Sequence, residues 1–256
     1  MNGFANADGL INAHAITQAY GRNEIIHSLN LQIPQGVFGL LGPNGSGKST
    51  LLRTLATVAP PRTGRLEILG HEVSSDGDAR KVRRQVGYLP QDFGFIPSFT
   101  VLDFVRYCAW LRRIPKKTAK RSTVHAVESV GLEREANRKM GSLSGGMLRR
   151  AGIAAAIVGR PAVILLDEPT VGLDPEQRLD FRNLLRELSD SAVILSTHLV
   201  EDVAAVCDRV VVMIDGTLQF RGTPRELQQL GNQPGPGDSS LERGYMAVID
   251  TQKKSS

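Results

Sequence analysis

The pattern G-x-x-x-x-G-K-[ST] is met by Gly42-Pro43-Asn44-Gly45-Ser46-Gly47-Lys48-Ser49, and it dictates the backbone on both sides of it. Glycines at these spacings let the chain wrap a phosphate. Amide N–H groups and the N-terminus of the next helix then supply positive potential. Such a P-loop works between a buried strand and a helix. Both flanks comply. Val37–Leu41 is a short apolar run bounded by Gly36 and Gly42, and Leu51, Leu52, Leu55 and Ala56 recur at helical spacing before Pro60-Pro61 stops them. In this frame Lys48 reaches the β- and γ-phosphates and Ser49 ligates Mg²⁺.

A second element fits the same chemistry. The apolar run Val163–Leu166 ends in Asp167-Glu168. An aspartate at such a strand end holds Mg²⁺ through its water shell. A neighbouring glutamate orients and deprotonates the attacking water. His198 follows a third apolar strand, Ala192–Thr197, and is placed to sense the γ-phosphate. In open α/β sheets ligands bind at such C-terminal strand ends. Between these elements lies Leu143-Ser144-Gly145-Gly146-Met147. Ser144, Gly145 and Gly146 open an expected helix over 147–157, and a helix N-terminus with bare glycine backbone is a further anion site. A single chain cannot fold this site onto its own P-loop if the two meet one γ-phosphate from opposite sides. A second subunit is therefore expected.

Partial alternation over Leu10–Tyr20 and Ile25–Ile33 predicts two strands, the second stopped by Pro34-Gln35-Gly36. Arg65–Leu69 and Val86–Leu89 read as two more. From Asp92 to about Val158 the period turns helical, clearest over 101–111 and 122–130, which marks a helical insertion between core strands. Strands at 162–166, 192–196 and 210–214 then alternate with helices, which argues for a mainly parallel sheet. The Pro/Gly-rich stretch 231–240 reads as a loop and 251–256 as a frayed tail.

Composition excludes several classes. No apolar run reaches the roughly 18 to 20 residues that cross a bilayer. The segment Met1–Leu10 has neither a basic n-region nor an apolar h-region, so no signal peptide is expected. Cys108 and Cys207 lie far apart and read as core thiols. The formal net charge of +5 gathers at Arg80–Arg84 and Arg112–Arg121. A basic balance suits nucleic acid or an anionic membrane face, or is a solvated surface. Neither cluster is interleaved with aromatics in sequence, as a single-strand binder requires.

Over residues 10–222 these motifs resemble the nucleotide-binding subunit of ABC transporters. The resemblance implies an α/β fold: a P-loop NTPase core of mainly parallel sheet, an N-terminal antiparallel β subdomain and an inserted helical subdomain. It implies an ATPase domain over 10–230, with the insertion at about 92–158, and a C-terminal linker, short helix and tail over 231–256. Carried over by position, Gly42–Thr50 looks like Walker A, Gln91 like the Q-loop glutamine that touches Mg²⁺ and the membrane partner, and Leu143–Met147 like the signature. Val163–Glu168 looks like Walker B with its catalytic glutamate, Gly172-Leu173-Asp174 like the D-loop, and His198 like the switch histidine. Tyr20 matches the aromatic that stacks on adenine. Met147 stands where the family usually has glutamine, and a thioether is a weak acceptor at best.

The resemblance further implies ATP and Mg²⁺ as ligand and cofactor. It implies a second ABC subunit as homo- or heterodimer partner, and a separate integral membrane permease, with no nucleic acid. The chain is then cytoplasmic, peripheral on the inner face of the cell membrane. Phe93, Phe95, Phe99 and Phe104 follow Gln91 and are expected at a groove for a permease helix. Leu241–Ile249 resembles the C-terminal element of ATPases serving export-type permeases. The alternative is a soluble ABC ATPase acting on DNA or ribosomes. No long heptad run and no second cassette supports it. A dimer that binds ATP without turnover is disfavoured by Glu168 and His198.

Overall fold

The structure, a computed structural model, describes residues 9–232 and 236–253. The chain begins with β1 (Ile11–Tyr20), β2 (Asn23–Ile33) and β3 (Gly36–Leu41), followed by α1 (Lys48–Leu55). Next come β4 (Thr63–Ile68), β5 (His71–Glu72), α2 (Asp76–Val82) and, after a 3₁₀ turn at Arg83–Gln85, β6 (Val86–Leu89). Three helices follow: α3 (Val101–Leu111), α4 (Lys116–Glu128) and α5 (Gly145–Ile157). The rest is β7 (Val163–Asp167), α6 (Pro175–Glu187), β8 (Ala192–Thr197), α7 (Val200–Val206), β9 (Arg209–Ile214), β10 (Thr217–Gly222), α8 (Pro224–Leu230) and α9 (Ser240–Lys253).

Two sheets carry the molecule. An antiparallel sheet has the order β2-β1-β4-β5, and a six-stranded sheet has the order β10-β9-β3-β8-β7-β6. In the second, β9, β3, β8, β7 and β6 run parallel, and β10 adds antiparallel at the edge. Every residue of β3, β7 and β8 is buried, as continuous apolar strands covered on both faces must be. Leu51, Leu52 and Leu55 of α1 fill the space between the sheets with Ile11, Ile16, Phe38 and Leu165. The other face of the large sheet packs Val105, Ile153, Ala154, Leu184, Leu185 and Val203 from the helices. The fold is α/β with an antiparallel sheet beside a mainly parallel one.

Local chemistry explains where the helices start. Thr100 and Asp103 form a capping box on α3, and Ser144 caps α5 through the Met147 amide. That cap opens α5 at Gly145, two residues before the expected start. α4 begins at Lys116 rather than 122, because Pro115 precedes it and its polar first turns hide the helical period. α9 runs through Lys253, so Thr251 is helical and not part of a tail. Leu241 and Tyr245 hold α9 by joining the main core. The expected tail at 254–256, Pro234 and Gly235 of the expected loop, and most of the N-terminal segment lie outside the described residues. Cys207 is buried, whereas Cys108 is half-buried, and burial pushes its thiol up to about 11. Among the described residues no helix is long and apolar enough to cross a membrane.

Candidate active site

Sheet register brings the motifs to one place. Leu41, the last residue of β3, pairs with Thr197 of β8, and Ser196 pairs with Asp167 at the end of β7. Leu89 of β6 pairs with Leu166. The P-loop, Asp167-Glu168, His198 and Gln91 therefore leave adjacent parallel strands at the same edge.

The P-loop is built around two close approaches. A Cβ at Gly42 would lie 2.2 Å from the Met213 carbonyl, and Gly47 holds φ at 101°. Gly47 is also the N-cap of α1. It offers no side-chain cap, and the first turn holds no acidic residue. The first amides of α1 therefore face the loop uncapped. Ser46 is 2% exposed, and its hydroxyl has no hydrogen-bond partner. Lys48 is buried, and its ammonium donates to the carbonyls of Gly42 (2.7 Å) and Pro43 (3.0 Å). Burial lowers its pKa, opposed by the nearby charges of Glu168 and Asp167. A buried cation bonded only to carbonyls, beside an orphaned hydroxyl and open helix amides, is a cradle that a phosphate chain completes.

The carboxylates are held differently. Asp167 is 1% exposed and accepts from the Ser196 hydroxyl at 2.5 Å. The Glu168 amide donates to the Ser196 carbonyl and hydroxyl, and its backbone sits at φ 50°. A non-glycine residue in this region stores about 1–3 kcal/mol, and such strain gathers at active sites. The Glu168 carboxylate lies 3.0 Å from His198 Nδ1, with His198 about half exposed and Glu168 nearly buried. Among the described residues no group of three or more His, Cys, Asp or Glu could hold a metal ion by itself. Ser49, Gln91 and Asp167 offer hard oxygen donors that suit Mg²⁺ shared with phosphates and water.

The remaining expected residues are placed apart. Tyr20 ends β1 with half its surface exposed, so its ring is free to stack. Leu143–Met147, the expected signature, lies against the expected D-loop: a Cβ at Gly146 would lie 3.0 Å from the Gly172 carbonyl. Asp174 caps α6 through the Gln177 amide. Phe104 is core, whereas Phe93, Phe95 and Phe99 are half-buried against it. Phe93 and Phe104 line a groove of about 400 Å³ with Val58, Arg83, Tyr107, Leu111 and Arg112. A larger cavity of about 980 Å³ lies between α4 and α6, away from the P-loop.

Three residues escaped the sequence reading. Ser196 joins Asp167 to Glu168, as above. Asp202 accepts from Thr170 (2.9 Å) and Arg182 (2.7 Å), tying the exit of β7 to α7. Arg149, buried on α5, donates to the carbonyls of Pro90, Gln91 and Asp167. Only Ser196 carries a signal, as a polar residue after the apolar run Val193-Ile194-Leu195; Asp202 follows Glu201 and Arg149 precedes Arg150, so neither stands out from its neighbour. Arg149→Met keeps the volume but strands those carbonyls, at about 1–3 kcal/mol each before relaxation. The melting temperature should fall by roughly 5–10 °C, read by circular dichroism.

The profile described as ABC transporter matches residues 26–171. The chain belongs to the ABC transporter family. It is 33% identical over 222 residues to an uncharacterized ABC transporter ATP-binding protein, YxlF, of Bacillus subtilis, covering 86% of this chain and 73% of that one. It is 34% identical over 221 residues to the Nod factor export ATP-binding protein I of Ralstonia nicotianae, covering 85% and 68%. The dimeric ABC transporter cassette MJ0796 superposes with a TM-score of 0.77 at 28% identity, over 83% of this chain and 98% of that one. The same cassette is known in a post-hydrolysis state bound to ADP and Pi. The chain is an ATP-binding and ATP-hydrolysing subunit that powers an ABC transporter.

Proposed function

We propose that this ABC ATPase drives export through a separate membrane permease, working as a head-to-tail dimer peripheral on the cytoplasmic face of the cell membrane. The observation that carries the reading is the convergence of Lys48, Asp167, Glu168 and His198 at one sheet edge, beside a groove floored by Phe93 and Phe104. One name supports export: the Nod factor export ATP-binding protein I of Ralstonia nicotianae.

In this reading the backbone of Gly42–Gly47 and the side chain of Lys48 bind the phosphates, Ser49 and Thr50 open the helix beneath them, and Tyr20 stacks on adenine. Ser49, Gln91 and Asp167 would hold Mg²⁺, which would supply positive charge to the phosphates. Glu168 takes the proton of the attacking water. His198, 3.0 Å from that carboxylate, holds it in place. Leu143–Met147 of one subunit covers the nucleotide of the other, with Asp174 beside it. Gln91 reaches the groove through its own backbone. Its carbonyl takes the Arg149 donor on the helix that starts at the signature.

The groove reading is tested where chemistry is not disturbed. Val58 lines the groove, is 52% exposed and follows the C-terminal end of α1, the end opposite the P-loop. Val58→Glu should abolish co-purification with the permease while ATP hydrolysis by the isolated subunit stays at the parent rate. Retained co-purification places the docking site elsewhere.

A further inference from the structure

The chain's entire positive excess sits in two segments. Residues 76–85 carry four Lys or Arg and residues 101–117 carry five, against three aspartates in the two together; the formal net charge of the whole chain is +5. The fold brings the two segments to one groove, which Arg83 and Arg112 both line. The three aspartates are partly spent. Asp78 pairs with Lys81 at 3.0 Å, and Asp103 caps α3 and lies 3.7 Å from Arg106. Asp76 sits in the first turn of α2. Arg80, Arg84, Arg113, Lys116 and Lys117 are all exposed, and none has an acidic partner among the described residues.

Large aromatic surface lies between these charges. Arg106, Tyr107, Trp110 and Arg113 follow one face of α3 and the turn after it, at helical spacing. Trp110 is 68% exposed, Leu111 56% and Tyr107 42%. The Tyr107 and Trp110 rings stack at 5.9 Å, and Phe99 meets Tyr107 edge-on at 6.1 Å. The basic cluster that looked free of aromatics in sequence thus has them beside it in space. Exposed Trp and Tyr flanked by Arg and Lys is the composition that settles at a bilayer's headgroup level. Because the two rings stack on each other, they form a fixed platform rather than separate slots for successive bases. The charges spread over two segments that meet at one groove. A flat anionic surface meets them all at once, and an acidic peptide seated in the groove does not.

We infer that this face, with Trp110 at its centre, binds directly to an anionic lipid bilayer, whether or not a permease fills the groove. Trp110 is the only tryptophan of the chain, so its fluorescence reports the contact. The test uses the full chain with extruded vesicles of phosphatidylcholine, with and without phosphatidylglycerol, and no permease. Co-sedimentation and a blue shift of tryptophan emission are expected only with phosphatidylglycerol, and both should reverse in high salt. Replacing Arg106, Arg113 and Lys116 by Glu should lower partitioning at least about a hundredfold. Trp110→Ala should lower it several-fold with no change of charge. Both variants should keep the parent rate of ATP hydrolysis, which shows that they fold. Four results overturn the inference: no binding to the anionic vesicles, equal binding to neutral ones, binding with no emission shift, or an unmoved partition in the charge variant. Duplex DNA that gives the same shift and displaces the vesicles also overturns it, in favour of a nucleic acid.

Discussion

Glu168→Gln should bind ATP as the parent does and hydrolyse it about 10²–10⁴ times more slowly, the usual cost of a lost general base. The substitution is close to isosteric. The backbone that sets the residue's geometry, the amide bonded to Ser196 at φ 50°, is untouched. The Lys48 cradle is also untouched. Binding energy that closes a dimer is then no longer discharged by hydrolysis. Gel filtration with ATP and Mg²⁺ should show a dimer for this variant, whereas the parent returns to monomer as ATP is consumed. Parent-rate phosphate release from the variant would remove Glu168 from the chemistry.

Lys48→Ala should act one step earlier. The ammonium is buried and held by two carbonyls at 2.7 and 3.0 Å, an arrangement that trades readily for a triphosphate. Each hydrogen bond to a charged group contributes about 1.5–3 kcal/mol. Losing two of them should weaken ATP binding by roughly a hundredfold or more, measured by titration calorimetry. The fold should survive, because α1 keeps Leu51, Leu52 and Leu55 in the core. Unchanged affinity would mean that the triphosphate is held elsewhere.

What was legible in the sequence is what chemistry constrains locally. Glycine spacing around Lys48 leaves few backbones available, and a continuous apolar run ending in Asp167-Glu168 can only be a buried strand with its charges at the exit. Those runs also announced an α/β fold. Interactions between elements left weaker marks. Arg149 gathers three carbonyls from two places distant in sequence, Pro90-Gln91 and Asp167, and nothing in Met147-Leu148-Arg149-Arg150 says which arginine turns inward. Phe104 points into the core and Trp110 into solvent, although both belong to α3. Helical period sorts them only when the packed side is known. α4 was legible only from 122 on, because Lys116–Arg121 has too few apolar residues to show a stripe. The distribution of charge was visible as two clusters, but not their meeting at one groove.

The central claim is that one chain carries an ATPase site that a second chain must complete. Phosphate release per mole of protein, followed as the concentration of the chain is raised with saturating ATP and Mg²⁺, tests it most directly. The account predicts a specific activity that climbs with concentration and then levels off, as dimers form. It also predicts that Gly145→Asp, whose Cβ meets nothing of its own chain within 4 Å and which sets a carboxylate against the partner's γ-phosphate, stays near zero throughout while still binding ATP. A specific activity that is constant down to the lowest measurable concentration, or full activity in Gly145→Asp, would contradict it.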